Sequence, residues 1–423
     1  MWLDIAVACL AAPERACPAE PRGWQSSAAG CLVFALWGGV CVGARALEPL
    51  EGLQVHGFLT QGYFLTSRNR VFGHSEGDGS LDFIEAGINA SWTPLPRLQL
   101  AVQPLFRRAG AGHESDLELD FGLMDYALLS TEDKQLGIRL GRIKNPRGLY
   151  NDTRDVAFTR PSILLPESIY YDKLRELNVS ADGAQLYGEL RSRWGDFSLQ
   201  FGPVVPRADN LDLELAIFFE DRPGTFTNDG FMYIGRLTYQ LDGGRYKLAA
   251  SGLHHLAVRY ETRFSPPQDL SAGTNLYDEW IVSAQYNGER WGFTGEYSQT
   301  YNENQGFGPS FPDTAFTGEG YYLQAMYRIS PKWETLLRYD VYYGDREDRD
   351  GAKFEALTGI PGHNIYAKDW TIGARYYVTP AVMVAAEYHH VYGTGWLPSQ
   401  DNPDLNATDK KWDLFALLVS YRF

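Results

Sequence analysis

Cysteine and long apolar runs are scarce in this sequence of 423 residues. The four cysteines all precede residue 42, so the rest of the chain offers no disulfide framework, thiol chemistry or cysteine metal site. Beyond the N-terminal region no uninterrupted apolar stretch reaches about 20 residues, which excludes a polytopic helical membrane protein. A membrane barrel stays compatible with the mean hydropathy of −0.31, because alternating strands average to near-neutral values.

Positively charged residues are also outnumbered. Lys and Arg number 38 against 53 Asp and Glu, a net charge of −15. A chain this acidic is a poor candidate for nucleic-acid binding, and we predict no such partner. The hydrophobic content of 44% and charged content of 22% nevertheless indicate a folded chain.

The N-terminal region has the pattern of an export signal. Residues 31–43 form an apolar run of signal-peptide length, and the Ala-Arg-Ala of residues 44–46 fits a small-x-small cleavage site. We predict a signal peptide over residues 1–46 and a mature domain over 47–423. An over-extended gene start is an alternative for the long leading stretch. A lipoprotein box at residues 28–31 is disfavoured because its apolar run follows the cysteine.

From residue 53 onward the sequence repeats about ten to fifteen residues of alternating apolar and polar side chains, followed by a turn. Seven short turns carry Pro, Asn-Gly or Asp-Gly sequences suited to hairpins. Eight longer polar connections alternate with them, near residues 67–80, 109–116, 145–178, 205–228, 262–276, 302–317, 344–367 and 393–410. We therefore predict an all-β fold, a transmembrane antiparallel β-barrel of about 16 strands with short periplasmic turns and long external loops.

The two faces of the predicted strands distinguish a membrane barrel from a soluble sheet. One face is apolar and the other carries charge; a soluble core would have to bury that charge at high cost, whereas a water-filled lumen keeps it hydrated. By alternation the inward face carries Arg107, Arg139, Arg236, Lys247, Arg328, Arg338 and Arg375 beside Glu85, Glu296, Glu334, Asp340 and Glu387. Base slightly outnumbers acid, which favours anionic or zwitterionic solutes.

Aromatic residues mark the predicted strand ends and the C-terminus. Tryptophans expected in interfacial girdles are Trp92, Trp280, Trp291, Trp333, Trp370 and Trp412. The last strand has an alternating apolar face that ends on Phe423, similar to the C-terminal signal read by the outer-membrane assembly machinery. We predict that machinery, outer-membrane lipid and lipopolysaccharide as partners.

Three segments resemble Gram-negative porins, namely residues 55–58 (VHGF), residues 141–146 (GRIKNP) and residues 420–423 (SYRF). The chain is similar over essentially its whole mature length to the phosphate-selective and related sixteen-stranded porins. The resemblance implies a bacterial outer-membrane location, a homotrimer and a third external loop that folds into the barrel and narrows the pore. Phosphate specificity does not follow, because that loop holds a single lysine.

The third long connection, residues 145–178, is therefore the predicted constriction loop. It carries five basic and five acidic residues and no net charge. We predict that Arg147, Asp152, Arg154, Asp155, Arg160 and Glu167 line the pore together with the inward strand residues Arg107, Arg139, Arg236, Arg328, Arg338, Arg375, Glu334, Asp340 and Glu387. An external lid on the barrel rim is the alternative.

These patterns predict a porin that allows passive diffusion of small hydrophilic, including anionic, solutes. No catalytic residue, cofactor or metal is predicted. A closed-lumen outer-membrane barrel with an adhesion or structural role is the first alternative, and an outer-membrane hydrolase is the second. No His-Glu-x-x-His motif or Walker loop occurs. Adjacent histidines at 254–255 and 389–390 are expected on opposite faces of a strand, where they cannot share a metal.

Overall fold

The computed structural model describes residues 51–208, 211–220, 222, 224–262 and 270–423. The predicted signal peptide, residues 1–46, lies outside these described residues. None of the helices among them has both the length and the apolar character needed to cross a membrane.

One antiparallel sheet contains all the strands of the described residues and closes on itself. The strands are β1 (Leu53–Thr66), β2 (Ser80–Leu95), β3 (Leu98–Ala109), β4 (Glu114–Ser130), β5 (Lys134–Lys144), β6 (Ser180–Ser192), β7 (Gly195–Val205), β8 (Gly224–Asn228 and Met232–Leu241), β9 (Tyr246–Thr262), β10 (Gly273–Asn287), β11 (Trp291–Gln305), β12 (Thr314–Ser330), β13 (Trp333–Tyr343), β14 (Tyr366–Thr379), β15 (Val382–Gly393) and β16 (Lys411–Arg422). Both segments of β8 pair with β9, one after the other. The seventeen extended segments therefore form sixteen barrel strands, which confirms the predicted fold.

Short helices occur only in connections within the described residues. They are α1 (Glu167–Tyr170), α2 (Arg175–Val179), α3 (Leu211–Phe218) and α4 (Ala352–Thr358), with 3₁₀ turns at Asn151–Thr153, Asp172–Leu174, Gly362–Ile365 and Leu405–Ala407. The tight connections lie on one rim and the long ones on the other. At the β8–β9 turn the Arg245 N–H donates to the Asp242 carbonyl at 3.2 Å. The two central residues, Gly243 and Gly244, both have positive φ (62° and 85°), as a type I′ turn requires.

A seam between β1 and β16 closes the barrel. The pairing runs from Phe58 opposite Arg422 to Thr66 opposite Leu414. At the end of the seam Gly57 and Phe423 exchange backbone hydrogen bonds of 3.1 and 3.0 Å. No edge of the sheet is left open along this stretch, which is how a barrel satisfies its backbone groups in lipid.

The outer face is apolar and is bordered by two aromatic belts. On the turn side Trp291 contacts Tyr327 and Trp333 contacts Tyr376, each with ring centroids 4.6 Å apart. On the loop side Trp370 stacks on Tyr339 at 4.4 Å. Trp370 and Tyr376 are six residues apart on β14, or about 20 Å along the strand. This spacing suits the apolar band of an outer-membrane barrel.

Trp412 departs from the predicted girdle. Its side chain is 1% exposed and packs inside the barrel against Trp396, with ring centroids 5.1 Å apart. Its indole N–H donates to the Gly393 carbonyl at 3.0 Å. The reason is alternation, because Trp412 shares its face with the fully buried Leu414.

The predicted placement of His254 and His255 on opposite faces is wrong. A β-bulge in β9 sets both residues against Asp278 of β10, between the pairs Leu253–Glu279 and Leu256–Tyr277. His255 has φ 61°, and both histidines lie on the exposed outer side. An extra residue in a strand changes the face of the residues after it, and no local pattern indicated this one.

Candidate functional site: a loop docked inside the barrel

The connection between β5 and β6, which we call loop 3 (residues 145–179), enters the barrel. Its two ends are tied at a neck, where the Asn145 N–H donates to the Val179 carbonyl at 3.0 Å. The Asn151 side chain reinforces the neck by donating to the Asn145 and Asn178 carbonyls at 2.9 Å each. The neck turns the intervening residues inward, where they meet the wall.

Glu296 of β11 is one anchor of loop 3. Its carboxylate is 3% exposed and accepts hydrogen bonds from the Leu149 N–H at 3.0 Å and the Tyr170 hydroxyl at 2.6 Å, both in the loop. It also accepts from the hydroxyls of Ser283 at 2.6 Å and Tyr322 at 2.7 Å, on the neighbouring strands. One carboxylate thus joins both halves of the loop to three strands.

Arg147 and Glu279 form a second anchor. The guanidinium Nε and Nη2 lie 2.5 and 2.7 Å from the two carboxylate oxygens, and the side chains are 2% and 1% exposed. Two parallel N–H···O bonds give this pair both strength and orientation. The pair holds loop 3 against β10, at the point where the loop leaves the neck.

Glu387 and Arg338 hold the far side of the loop. Glu387 of β15 accepts from the N–H groups of Ile163 at 2.6 Å and Leu164 at 3.2 Å. Arg338 of β13 donates to the Leu164 carbonyl at 3.0 Å. On β14, Arg375 donates to the Arg160 carbonyl at 2.6 Å. Wall side chains here bind loop backbone, which needs partners once it is buried.

Buried ion pairs complete the docking near β2 to β4. Asp172 of the loop pairs with Arg107 of β3 at 2.7 Å and with Arg154 at 3.3 Å. Asp155 pairs with Lys144 at 2.5 Å and with Arg175. Through these pairs, loop residues of both signs compensate one another and the wall.

Glu167 lies in loop 3, outside the strands, and is 6% exposed. Burial raises the pKa of its carboxyl to about 8, and the nearby Asp172 carboxylate adds to the rise. Its Oε2 accepts from the Asp172 N–H at 3.0 Å. The loop consequently carries a carboxyl group that changes charge near neutral pH.

The structure places every predicted site residue in loop 3 or on the inner face. Ten are under 9% exposed between loop and wall: Arg107, Arg147, Arg154, Asp155, Arg160, Glu167, Arg338, Asp340, Arg375 and Glu387. Asp152, Arg139 and Arg236 are partly exposed, and Arg328 with Glu334 forms a 3.3 Å pair near the turn rim. Glu279 was not among the predicted site residues. Period-two alternation on β10 could have identified it, because it shares the inner face with Ile281 and Ser283.

The inner surface of β4 to β8, which we call the β4–β8 arc, carries charged side chains that are partly exposed. Arg139 of β5, 22% exposed, pairs with Asp125 at 2.9 Å and lies over the Tyr187 ring at 4.4 Å. Arg236 of β8 reaches the loop at Asp152, whose side chain is 19% exposed. The arc holds charged side chains of both signs with access to solvent.

A hydrolase-like spacing occurs at residues 73–77 (GHSEG), which sequence reasoning overlooked. The segment lies in the first long connection, not at the strand-to-helix turn that a nucleophile elbow requires. Ser75 is fully buried, and its hydroxyl bonds to the Thr66 hydroxyl at 2.8 Å and accepts from the Val71 N–H at 2.9 Å. The geometry is that of a loop contact.

No protein-family model and no curated protein matches the chain. Solved structures do match. The outer membrane channel DcaP of Acinetobacter baumannii superposes with a TM-score of 0.55 at 10% identity, covering 88% of this chain and 97% of that one. An anion-selective porin from Comamonas acidovorans gives 0.54 at 12%, covering 88% and 99%. OmpT of Vibrio cholerae in its trimer form gives 0.51 at 12%, with the same coverage.

The fold is that of the sixteen-stranded outer-membrane porins. The apolar outer face and the two aromatic belts agree with it, and they place the barrel in the bacterial outer membrane.

Proposed function

We propose that this barrel is a porin through which small hydrophilic solutes diffuse passively, narrowed by loop 3. The observation that carries the proposal is the docking of loop 3 inside the barrel, through Glu296, Arg147 and Glu387, beside partly exposed charged side chains of the β4–β8 arc. Solutes would pass along that arc. Passage needs no cofactor, metal or catalysis, because a concentration gradient drives it.

The charges of the arc support a preference for anions. Arg139 and Arg236 of the arc, together with Lys247 of the adjoining β9, lie near Asp125 and Asp152. Charged side chains lining a pore decide which ions pass. The similarly folded Comamonas protein is described as anion-selective. A homotrimer and assembly through the Phe423 strand are part of the same proposal, the first supported by the trimer form of OmpT.

Neutralising the arc arginines is expected to reduce anion preference. The double variant Arg139→Gln/Arg236→Gln removes two positive charges, each worth about a two-fold change in ion occupancy at roughly 8 Å in water. The reversal potential of single channels under a salt gradient should move toward the cation value. Arg142→Gln is the matched control, because Arg142 lies on β5 but on the outer face, paired with Asp182 at 2.8 Å. An equal shift in both proteins would contradict the proposal.

Raising the pH is expected to loosen loop 3. Because the pKa of Glu167 is raised, from 4.5 to about 8, its contribution to docking is fully present below about pH 4.5 and is lost as pH rises through about 8. Single-channel conductance should increase between about pH 5 and pH 9. Glu167→Gln, which stays neutral, should flatten this dependence; a profile unchanged by the substitution would show that another group is responsible.

A closed-lumen barrel with an adhesion or structural role is the second candidate. It is favoured by the burial of ten predicted pore residues to below 9% exposure. Swelling of liposomes that contain the purified protein separates the two functions. Entry of hexose-sized solutes supports the porin, and liposomes that stay impermeable support the closed barrel.

We do not propose a catalytic activity. Among the described residues no group of three or more His, Cys, Asp or Glu side chains is placed to hold a metal ion, and Ser75 is inaccessible.

A further inference from the structure

Three lysines lie together on the outer wall, at the loop-side ends of β14 to β16. Lys368 of β14 pairs in register with Tyr392 of β15, which pairs with Lys411 of β16. Lys410 directly precedes Lys411, and both are exposed. Because neighbouring strands are about 4.8 Å apart, the Cα atoms of Lys368 and Lys411 are separated by about 10 Å. We call Lys368, Lys410 and Lys411 the lysine cluster.

Aromatic rings, rather than carboxylates, contact the lysine cluster. Lys368 Nζ lies 5.6 Å from the Tyr343 ring centroid. Lys410 Nζ and Lys411 Nζ lie 4.9 and 5.9 Å from the Tyr392 ring centroid. Within the part of the chain that the structure describes, none of the three ammonium groups forms an ion pair with a carboxylate. Since the rings are neutral, the positive charge of the cluster is not compensated.

Two carboxylates on nearby residues have other partners. Asp413 of β16 accepts from the Tyr388 hydroxyl at 2.7 Å and lies 2.8 Å from His390 Nδ1. Asp409, in the preceding connection, lies 3.9 Å from Arg68 Nε. The ammonium groups of the lysine cluster are therefore available to an anion from outside the chain.

Toward the turns the same part of the wall becomes apolar. Two rows below the lysine cluster Ile372, Tyr388 and Phe415 lie side by side in register, with 59%, 45% and 37% of their surfaces exposed. In the next row Ala374 and Ala386 face each other. Four residues separate Lys368 from Ile372 on β14, which is about 13 Å along the strand. Positive charge thus gives way to hydrocarbon over the length of a lipid head group.

The lysine cluster lies one row beyond the loop-side aromatic belt. Lys368 precedes Trp370 by two residues on β14, and Trp370 stacks on Tyr339 in that belt. Aromatic belts mark the boundary between hydrocarbon and head groups. The cluster consequently meets the head groups of the outer leaflet, which in a bacterial outer membrane consists of lipopolysaccharide.

We propose that the lysine cluster binds a phosphate group of lipid A, the phosphorylated and acylated sugar of lipopolysaccharide, while acyl chains cover Ile372, Tyr388 and Phe415. Ammonium groups form strong charge-assisted hydrogen bonds to phosphate, and clusters of basic side chains beside an apolar surface bind anionic lipids. Direct contact between lysine and phosphate needs no divalent cation. The site lies outside the lumen, so it is independent of the proposed passage of solutes.

Native mass spectrometry of the purified protein, titrated with bisphosphorylated lipid A, tests the proposal. Wild type should retain one lipid A per chain. The variant Lys368→Gln/Lys410→Gln/Lys411→Gln should bind it roughly a hundred-fold more weakly, because each lysine contributes about a five-fold gain in affinity for an anionic lipid. Lipid A without phosphates should bind equally to wild type and to this variant.

A matched variant controls for the loss of net charge. Lys134→Gln/Lys332→Gln/Arg245→Gln removes three positive charges from the tight turns on the opposite rim and should bind lipid A like wild type.

A charge-preserving variant separates recognition of phosphate from a folding defect. Lys368→Arg/Lys410→Arg/Lys411→Arg keeps the positive charge and should retain lipid A.

Three results would overturn the proposal. Equal retention of lipid A by wild type and by the triple glutamine variant would show that the lysine cluster does not hold it. Displacement of lipid A by an equimolar amount of inorganic phosphate would assign the cluster to a free anion. Release of lipid A from wild type by EDTA would assign the contact to a divalent cation held by Asp409 or Asp413.

Discussion

Replacing Glu296 with alanine is expected to raise single-channel conductance and to lower the thermal stability of the barrel. The substitution removes the acceptor of three buried hydroxyls, those of Tyr170, Ser283 and Tyr322. It also removes one of the two acceptors of the Leu149 N–H, which keeps its bond to the Tyr170 hydroxyl. Each buried donor left unpaired costs about 1–3 kcal/mol, so the docked loop should lose several kcal/mol relative to an undocked one. Planar-bilayer recordings and thermal unfolding measure the two effects.

Two further variants test whether the effect is specific to the Glu296 carboxylate. Glu296→Gln keeps one acceptor oxygen and should show a smaller increase in conductance. Glu303→Ala removes a carboxylate from the outer side of the same strand, where it accepts hydrogen bonds from Tyr301 and Gln305. This variant should leave conductance unchanged. If Glu296→Ala also conducts like wild type, Glu296 does not hold loop 3 in place.

Breaking the Arg147–Glu279 pair is expected to destabilise the protein strongly. Arg147→Met leaves the Glu279 carboxylate buried without its partner, and loss of one member of a buried ion pair costs about 3–5 kcal/mol. The double variant Arg147→Met/Glu279→Gln should recover part of this loss, because no unpaired charge remains. The free energy of unfolding in denaturant titrations in detergent or lipid measures it.

An exposed pair provides the comparison for this experiment. Arg245 and Asp242 lie 2.7 Å apart at the β8–β9 turn, with side chains 50% and 54% exposed. Pairs of this kind contribute about 0–1 kcal/mol, so Arg245→Met should change stability little. Similar losses in Arg147→Met and Arg245→Met would mean that burial is not what gives the Arg147 pair its effect.

Strand number and facing could be read from the sequence because both depend on local periodicity. Arg338 and Arg375 alternate with apolar neighbours, and both side chains point inward. The same rule could have placed Trp412, whose even-numbered position groups it with Leu414 on the inner face. The error there came from treating tryptophan as a girdle residue regardless of its face.

The docking of loop 3 could not be predicted from local periodicity. Glu387 binds the Ile163 N–H, 224 residues away in sequence, and backbone groups carry no residue-specific signal. The bulge at His255 was equally invisible, since an inserted residue changes register without a characteristic composition. Alternation therefore predicted which side chains point inward. It could not predict whether water or loop 3 contacts those side chains.

The seam between β1 and β16 has a consequence for how the chain folds. The hydroxyls of Thr60 and Ser420 meet at 2.8 Å across 360 residues, and the Phe423 ring fills the space above Gly57, where a Cβ would overlap it. Contacts this distant in sequence form slowly, because closing so long a chain costs much entropy. Until β16 pairs with β1, each of these two strands presents an unpaired edge that favours aggregation. The closing step is thus expected to limit the folding rate, and a chain shortened by its last few residues should stay open and aggregate.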